Sequence, residues 1–306
     1  MPTRLWRELA PGPRSMAASA FFFSLMSVFV KLAGRDLPAS HVVLGRGVVT
    51  LALSYWGLRR AGISPRGVDR VRLALRGLFG FVALNCYFVS LRQLPLADAT
   101  VLQYSSPVFT ALFAVLALGE RLRAAELGCI AASFGGVLLV ARPAFLFGAG
   151  GVPAGPLAVA LAGSVVSAVG YVLIRQLRRT DRPEVIVFYF PLVAVPLSVP
   201  PVVAEATWPS PLGWLFLLGV GVFTQAGQVA MTRALHAETA SRASAVSFLQ
   251  VVFAYLWGLL LFHERPSPLG LAGSAVVALG TVALARLGSG PGKAGGAVPP
   301  APPSVP

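Results

Sequence analysis

Two cationic residues lie inside apolar stretches of the sequence, where a charge is costly unless it binds something. Arg46 stands between Gly45 and Gly47, about six residues or roughly 9 Å inside the end of its apolar run. Lys31 lies at a comparable depth in the preceding run. No acidic residue stands beside either cation in sequence, so both suit a carboxylate or another anionic group of a ligand.

Uncharged polar side chains recur in the other apolar runs. Gln103, Ser106, Pro107 and Thr110 fall at helical spacing, on one stripe of a helix. Hydrogen bonds between helices would account for such residues, and a polar cavity is the alternative interpretation. The cavity candidates, besides the two cations, are Gln103, Ser106, Tyr104, Asn85, Tyr171, Gln225, Gln228, Ser247 and Gln250.

The sequence lacks the motifs of the common enzyme classes. No second histidine follows His263 and Glu264 at zinc-protease spacing, and no nucleophile elbow is present. Cys86 and Cys129 have no metal-binding or redox spacing. We therefore predict no catalytic residues, no metal and no cofactor.

The amino-acid composition shows whether these residues belong to a soluble or a membrane protein. Of the 306 residues, 56% are hydrophobic and 12% charged, whereas soluble domains carry about 25% charged residues. The mean hydropathy is +0.76. The net charge of +14 invites a nucleic-acid interpretation, but the charges cluster between apolar runs, as expected for a membrane protein. We predict an all-α integral membrane protein in contact with the lipid bilayer and with no nucleic-acid partner.

Ten apolar runs are long enough to span a bilayer. They cover residues 16–33, 41–58, 73–91, 100–118, 127–141, 152–173, 185–204, 212–231, 243–262 and 269–285. Residues 1–15 are predicted to be a cytoplasmic tail, and the Gly/Pro/Ala-rich residues 287–306 a disordered cytoplasmic tail.

The basic residues orient the predicted helices. With the N-terminus inside, 19 of the 25 lysines and arginines flank cytoplasmic helix ends and four flank outer ends. This count places Arg76 among the cytoplasmic flanking residues. For Lys31, reaching the outer interface is the favoured interpretation; for Arg46, the flanking glycines favour ligand binding.

The two halves of the sequence are related. A shift of 144 residues aligns Lys31 with Arg175, Glu120 with Glu264, and Gly47 with Pro191. Two repeats of five spans each must be inverted relative to one another, an architecture typical of secondary transporters with a binding site at the repeat interface.

The repeated stretches also resemble a known family. Residues 97–122 read ADATVLQYSSPVFTALFAVLALGERL, and residues 241–266 read SRASAVSFLQVVFAYLWGLLLFHERP. Both are similar to the EamA domain of the drug/metabolite transporter superfamily, in repeats covering 16–142 and 152–286. The resemblance implies ten helices around a cavity lined by the first four helices of each repeat. Val251 replaces Pro107 in the second repeat, so the two halves need not bend alike.

Corresponding glycine and proline interruptions in two repeats point to a transporter site and its hinges. Gly45, Gly47, Pro107 and Pro191 fit that description. Glu120 and Glu264 end their helices beside arginines, so we predict structural ion pairs, with Arg121 and Arg123 as the partners of Glu120.

We predict a carrier that moves a small polar metabolite, an amino acid or related compound, by alternating access, with export as one option for its direction. The stretch RRTDRPEVIVFYFPL, at 178–192, resembles the branch with S-adenosylmethionine carriers, so uptake or exchange of S-adenosylmethionine or a nucleotide-type metabolite is the alternative. A non-transporting scaffold and an intramembrane enzyme are more remote alternatives. The arginine-rich composition suggests a bacterial inner membrane. The sequence leaves the substrate, the direction of transport, the coupling and the oligomeric state open.

Overall fold

The computed structural model describes residues 11–34, 36–94, 96–147, 153–205, 208–261 and 267–287, and within them only helices and turns occur. In chain order the helices are α1 (Pro11–Ala33), α2 (Ala39–Arg60), α3 (Arg70–Gln93), α4 (Leu96–Gln103), α5 (Ser106–Leu118), α6 (Ala124–Ala141), α7 (Ala144–Phe147), α8 (Ala154–Leu177), α9 (Pro183–Glu205), α10 (Pro211–Ala237), α11 (Ala240–Val246), α12 (Leu249–Leu261) and α13 (Pro268–Leu287).

The first helix is longer than its apolar run. It begins at Pro11, within the stretch predicted to be an N-terminal tail, because prolines are tolerated in the first turn of a helix. Gly12 is buried there against Glu238, and a side chain at Gly12 would collide with that residue. The N-terminal segment 1–10 and the tail from 288 lie outside the described residues.

Nine segments of the described chain are long and apolar enough to cross a membrane. Seven are the single helices α1, α3, α6, α8, α9, α10 and α13, and two are the composite segments α4–α5 and α11–α12. Leucine and valine side chains are exposed along these helices, as expected for contact with lipid. The chain is therefore a multi-pass membrane protein.

The helix α2 is 22 residues long and is not one of these nine segments. It carries Arg46 in its interior and Arg59 and Arg60 in its last turn. It is nonetheless packed into the bundle, between α9 and α10.

Contacts between the halves occur in matched pairs. The first helix of the N-terminal half, α1, packs along α10, and its counterpart α8 packs along α3. Likewise α2 packs against α10, and α9 packs against α3. The α2–α9 and α6–α13 contacts each join corresponding helices of the two halves. Helices of the first half therefore pack directly against helices of the second half.

Two helices of the bundle are broken at corresponding positions. The break between α4 and α5 lies at Tyr104 and Ser105, just before Pro107, which has no N–H to continue the helical ladder. The break between α11 and α12 lies at Ser247 and Phe248 without a proline. There the Ser247 hydroxyl and N–H donate to the Ser244 carbonyl at 2.6 and 3.0 Å, the tighter pattern of a 3₁₀ turn. One membrane segment in each half is thus interrupted, by a proline in the first half and by a 3₁₀ turn in the second.

Candidate functional site

A central cavity of about 150 Å³ lies where the two halves meet. It is bordered by α1, α2, α3 and α4 of the first half and by α8, α9 and α10 of the second. Its lining comprises Phe23, Arg46, Arg76, Gly80, Ala83, Leu84, Tyr87, Gln103, Ser167, Gly170, Tyr171, Phe190, Gln228 and Met231. The broken segment α11–α12 does not border it, so the lining is less symmetric than the repeat implies.

Two arginines converge on one aromatic ring in this cavity. The guanidinium carbon of Arg46, from α2, lies 5.4 Å from the centroid of the Phe190 ring. The guanidinium carbon of Arg76, from α3, lies 5.5 Å from the same centroid. Such contacts are attractive, because the ring face carries partial negative charge. Phe190 directly precedes Pro191 on α9.

The position of Arg76 corrects the sequence-based assignment. Arg76 lies six residues inside α3 and is only 5% exposed, so it belongs to the interior and not to the cytoplasmic flank. In the sequence, Arg76 is assigned to the flank by its nearness to the start of its apolar run, which does not show whether other helices cover the side chain. The signal that could have found it is Gly80, one turn further on, where a side chain would collide with Arg76 and Phe190.

Neutral polar groups complete the lining. Arg76 Nη2 donates to Gln228 Oε1 at 3.4 Å, and Gln228 is 9% exposed. Gln103, at the end of α4, and Tyr171, on α8, also line the cavity. The structure therefore brings four of the candidates from the sequence together: Arg46, Gln103, Tyr171 and Gln228.

Several other candidates lie away from the cavity. Lys31 is exposed in the last turn of α1, and Asn85 is exposed on α3 with its amide donating to the Phe81 carbonyl at 2.8 Å. Tyr87, two residues further along, lines the cavity instead. The two positions face different sides because successive helical residues are about 100° apart.

The candidates at the helix breaks have local roles. Tyr104 packs against an apolar cluster that includes Phe248. Ser106 is buried, and its carbonyl accepts a 2.8 Å hydrogen bond from Thr110. Ser247 bonds within its own turn, and Gln250 is partly buried outside the cavity lining.

Gln225 lies in a separate groove between α1, α2 and α10. It accepts a 3.0 Å hydrogen bond from Ser54, which joins α2 to α10. The groove also contains Phe22, Leu53 and Trp56. Gln225 is therefore a bridge between helices, three residues from Gln228 in sequence but outside the central cavity.

The predicted hinge residues lie at close contacts between helices. A Cβ atom at Gly45 would lie 3.1 Å from Leu217, and one at Gly47 would lie 3.0 Å from Val195. Both glycines thus allow α2 to fit between α10 and α9. Pro107 is in the first turn of α5, and Pro191 is buried within the continuous helix α9.

The ion-pair partner of Glu120 differs from the prediction. Glu120 pairs with Arg175, at 3.9 Å, rather than with Arg121 or Arg123. Its carboxylate also accepts hydrogen bonds from the backbone of Ala240 and the hydroxyl of Ser241, at the N-terminus of α11. The glutamate therefore ties the first half to the second, because a helix N-terminus attracts negative charge. Glu264 lies outside the described residues.

A second pocket, larger than the central cavity, lies beside Glu120 and Arg175. It has a volume of about 480 Å³ and is lined by Arg72, Arg175, Arg178 and Arg179, with Glu120 as the acidic residue of its lining. We call it the arginine-lined pocket. Arg72 is one turn from Arg76 on α3, and Arg175 is one turn from Tyr171 on α8, so the pocket lies directly next to the central cavity along both helices.

The fold and cavity define a class: a multi-pass helical membrane protein with a small polar cavity between two related halves. Comparison with known proteins gives the family. The EamA-like transporter family matches residues 12–142 and 155–286. The chain belongs to this family, and it is a membrane transporter rather than an enzyme.

Individual relatives extend over nearly the whole chain. The chain is 34% identical to the pseudopaline exporter CntI of Pseudomonas aeruginosa, over 89% of this chain and 95% of that protein. It is 31% identical to human solute carrier family 35 member G1, over 87% of this chain and 76% of that protein. A solved crystal structure at 21% identity has the same fold, with a TM-score of 0.79 over 91% of this chain.

Proposed function

We propose that the protein is a secondary transporter that exports a small polar metabolite, an amino acid or related compound, from a bacterial cytoplasm by alternating access. The central cavity carries the proposal, because it lies between the halves and holds polar and charged groups at mid-bundle, where transporters of inverted repeats bind substrate. The name of the Pseudomonas relative, an exporter, supports the direction.

The proposal includes a ten-span topology. The nine apolar segments and α2 would together make ten spans, five in each half, so the halves would be inverted. An even number of spans places both chain ends on one side, and the excess of basic residues at that side favours the cytoplasm. The matched contacts between halves support this arrangement.

The alternative substrate, S-adenosylmethionine, is less favoured. At neutral pH its sulfonium and ammonium groups outnumber its single carboxylate, so the molecule is cationic. Two arginines in the cavity would repel such a cation, since like charges in a low-dielectric interior interact strongly.

Flux measurements test the proposal. Purified protein in proteoliposomes should give saturable exchange of at least one solute from a panel of amino acids, organic acids, nucleosides and S-adenosylmethionine. Empty liposomes are the control. A protein that is folded in the liposomes yet moves none of these solutes, and no component of a cell extract, would favour a scaffold role instead.

A further inference from the structure

The arrangement of Arg46 and Arg76 indicates the charge of the substrate. Both guanidinium carbons lie within 5.5 Å of the Phe190 ring centroid, so one small molecule could contact both. Arg76 is 5% exposed, and among the residues that the structure describes its Nε atom has no hydrogen-bond partner. Its hydrogen bond to the Gln228 side chain is long at 3.4 Å. The Arg76 side chain is thus buried with unused donors.

No carboxylate lines the cavity among the residues that the structure describes. Burying a guanidinium without an opposite charge is strongly unfavourable, and the ring of Phe190 offsets only part of that cost. Two such groups beside each other repel as well. An anionic ligand with two negative groups would neutralise both, whereas a single carboxylate would leave one charge unbalanced.

The neighbouring pocket supports an anionic substrate. Arg72, Arg175, Arg178 and Arg179 surround it with positive charge, and it adjoins the cavity one turn along α3 and α8. Four arginines against the carboxylate of Glu120 leave this lining with an excess of positive charge, and such a concave surface concentrates anionic ligands. The preference for basic residues at cytoplasmic helix ends explains arginines at the rim, but it does not explain Arg76 in the interior.

We propose that the transported substrate is an organic anion with at least two carboxylates, held between Arg46 and Arg76 and reached through the arginine-lined pocket. This inference rests on the proposed transport function and specifies its substrate class. Each guanidinium presents parallel N–H donors that match the two oxygens of a carboxylate. The cavity of about 150 Å³ suits a compact molecule.

The substrate class is tested by efflux from proteoliposomes loaded with an equimolar mixture and analysed by mass spectrometry. The mixture contains di- and tricarboxylates, the monoamide of each dicarboxylate, zwitterionic amino acids and amines. Dicarboxylates should leave about tenfold faster than their monoamides, the ratio that one lost charge contact of ordinary strength would produce. Preferred efflux of neutral, zwitterionic or cationic solutes would overturn the substrate class while leaving transport intact. No protein-dependent efflux of any solute would contradict the transport function itself.

Variants of Arg76 test whether this residue recognises the second carboxylate of the substrate. Arg76→Gln should bring the ratio of dicarboxylate to monoamide efflux close to one, and Arg76→Lys should keep a preference for dianions at a higher KM, because it retains charge but loses the paired donors. Arg60→Gln is the matched control, since Arg60 is exposed and contacts Trp56 on the surface. If Arg76→Gln keeps the wild-type ratio at equal reconstituted levels, the proposed role of Arg76 is wrong.

The role of the pocket has a separate readout. Arg178→Gln should raise the KM for dicarboxylates and weaken its dependence on ionic strength, because charge steering is screened by salt. The ratio between dicarboxylate and monoamide should stay at the wild-type value, since Arg178 lines the arginine-lined pocket and not the cavity. An unchanged KM and salt dependence would exclude the pocket as the route of entrance.

Discussion

Single residues in this protein take their roles from position rather than type. Arg76 and Arg72 are one turn apart on α3, yet Arg72 is exposed and pairs with Asp69 at 3.0 Å, while Arg76 is buried beside Phe190. Gly80 makes the second environment possible, because its missing side chain leaves room for the guanidinium and the ring. A cation at this depth is retained only where it binds something.

Gly80→Ala tests this dependence. The added Cβ atom would lie 2.7 Å from Phe190 and closer still to Arg76, so both side chains would have to move. We expect an increase of about tenfold in the KM for transport, the effect of losing about 1.4 kcal/mol of binding free energy. Flux in proteoliposomes measures it. Gly57→Ala, whose Cβ atom would meet nothing within 4 Å, should transport as the wild type does. A normal KM for Gly80→Ala would contradict the proposed crowding.

At the scale of elements, close approach of helices depends on small residues. Gly136 on α6 and Gly273 on α13 face each other so closely that a Cβ at Gly136 would lie 2.7 Å from the Gly273 carbonyl oxygen. Within a bilayer, such small residues are a main source of helix association, because lipid removes most of the hydrophobic driving force. The α6–α13 pair joins corresponding helices of the two halves.

Gly136→Ala should therefore lower the stability of the protein in detergent, by about 1–3 kcal/mol, the usual cost of overpacking. The adjacent Gly135→Ala is the matched control, because its Cβ atom would meet nothing within 4 Å. Alanine is also the better helix former, so Gly135→Ala should leave the melting temperature unchanged or raise it. Equal melting temperatures for the two variants would show that the close α6–α13 contact does not determine the stability of the protein.

At the scale of the whole molecule, polar contacts join the two halves at one end of the bundle. Glu126, 1% exposed on α6, pairs with Arg242 of α11, and Glu120 binds the N-terminus of α11. Within the second half, Arg175 of α8, the partner of Glu120, also donates to the carbonyls of Leu235 and His236 at 3.0 Å. Alternating access would require these contacts to rearrange when this end of the bundle opens or closes.

The orientation of the molecule is testable by fusion proteins. We expect green fluorescent protein fused at the C-terminus to fluoresce, because it folds in the cytoplasm. Alkaline phosphatase fused after Leu37 should be active, and after Ser64 inactive, since these loops lie at opposite ends of α2. The reversed pattern of phosphatase activity would contradict the proposed topology, in which both chain ends are cytoplasmic.

The sequence alone determined the class of this protein. Long apolar runs with basic residues between them define a helical membrane protein, because only helices satisfy the backbone of such runs in lipid. The repeated stretches that contain Glu120 and Glu264 carry the family resemblance in the sequence itself. Arg46 was recognisable because it stands inside an apolar run between two glycines. The helix break before Pro107 likewise has a local cause.

Tertiary structure decided what depended on contacts between distant segments. Only packing of α3 against α9 places Arg76 beside Phe190, and only the approach of α8 and α11 gives Glu120 its partners in place of Arg121. Periodicity reports how far a residue lies along a helix and on which face. It does not report which other helix covers that face, because that choice follows from the packing of the whole bundle.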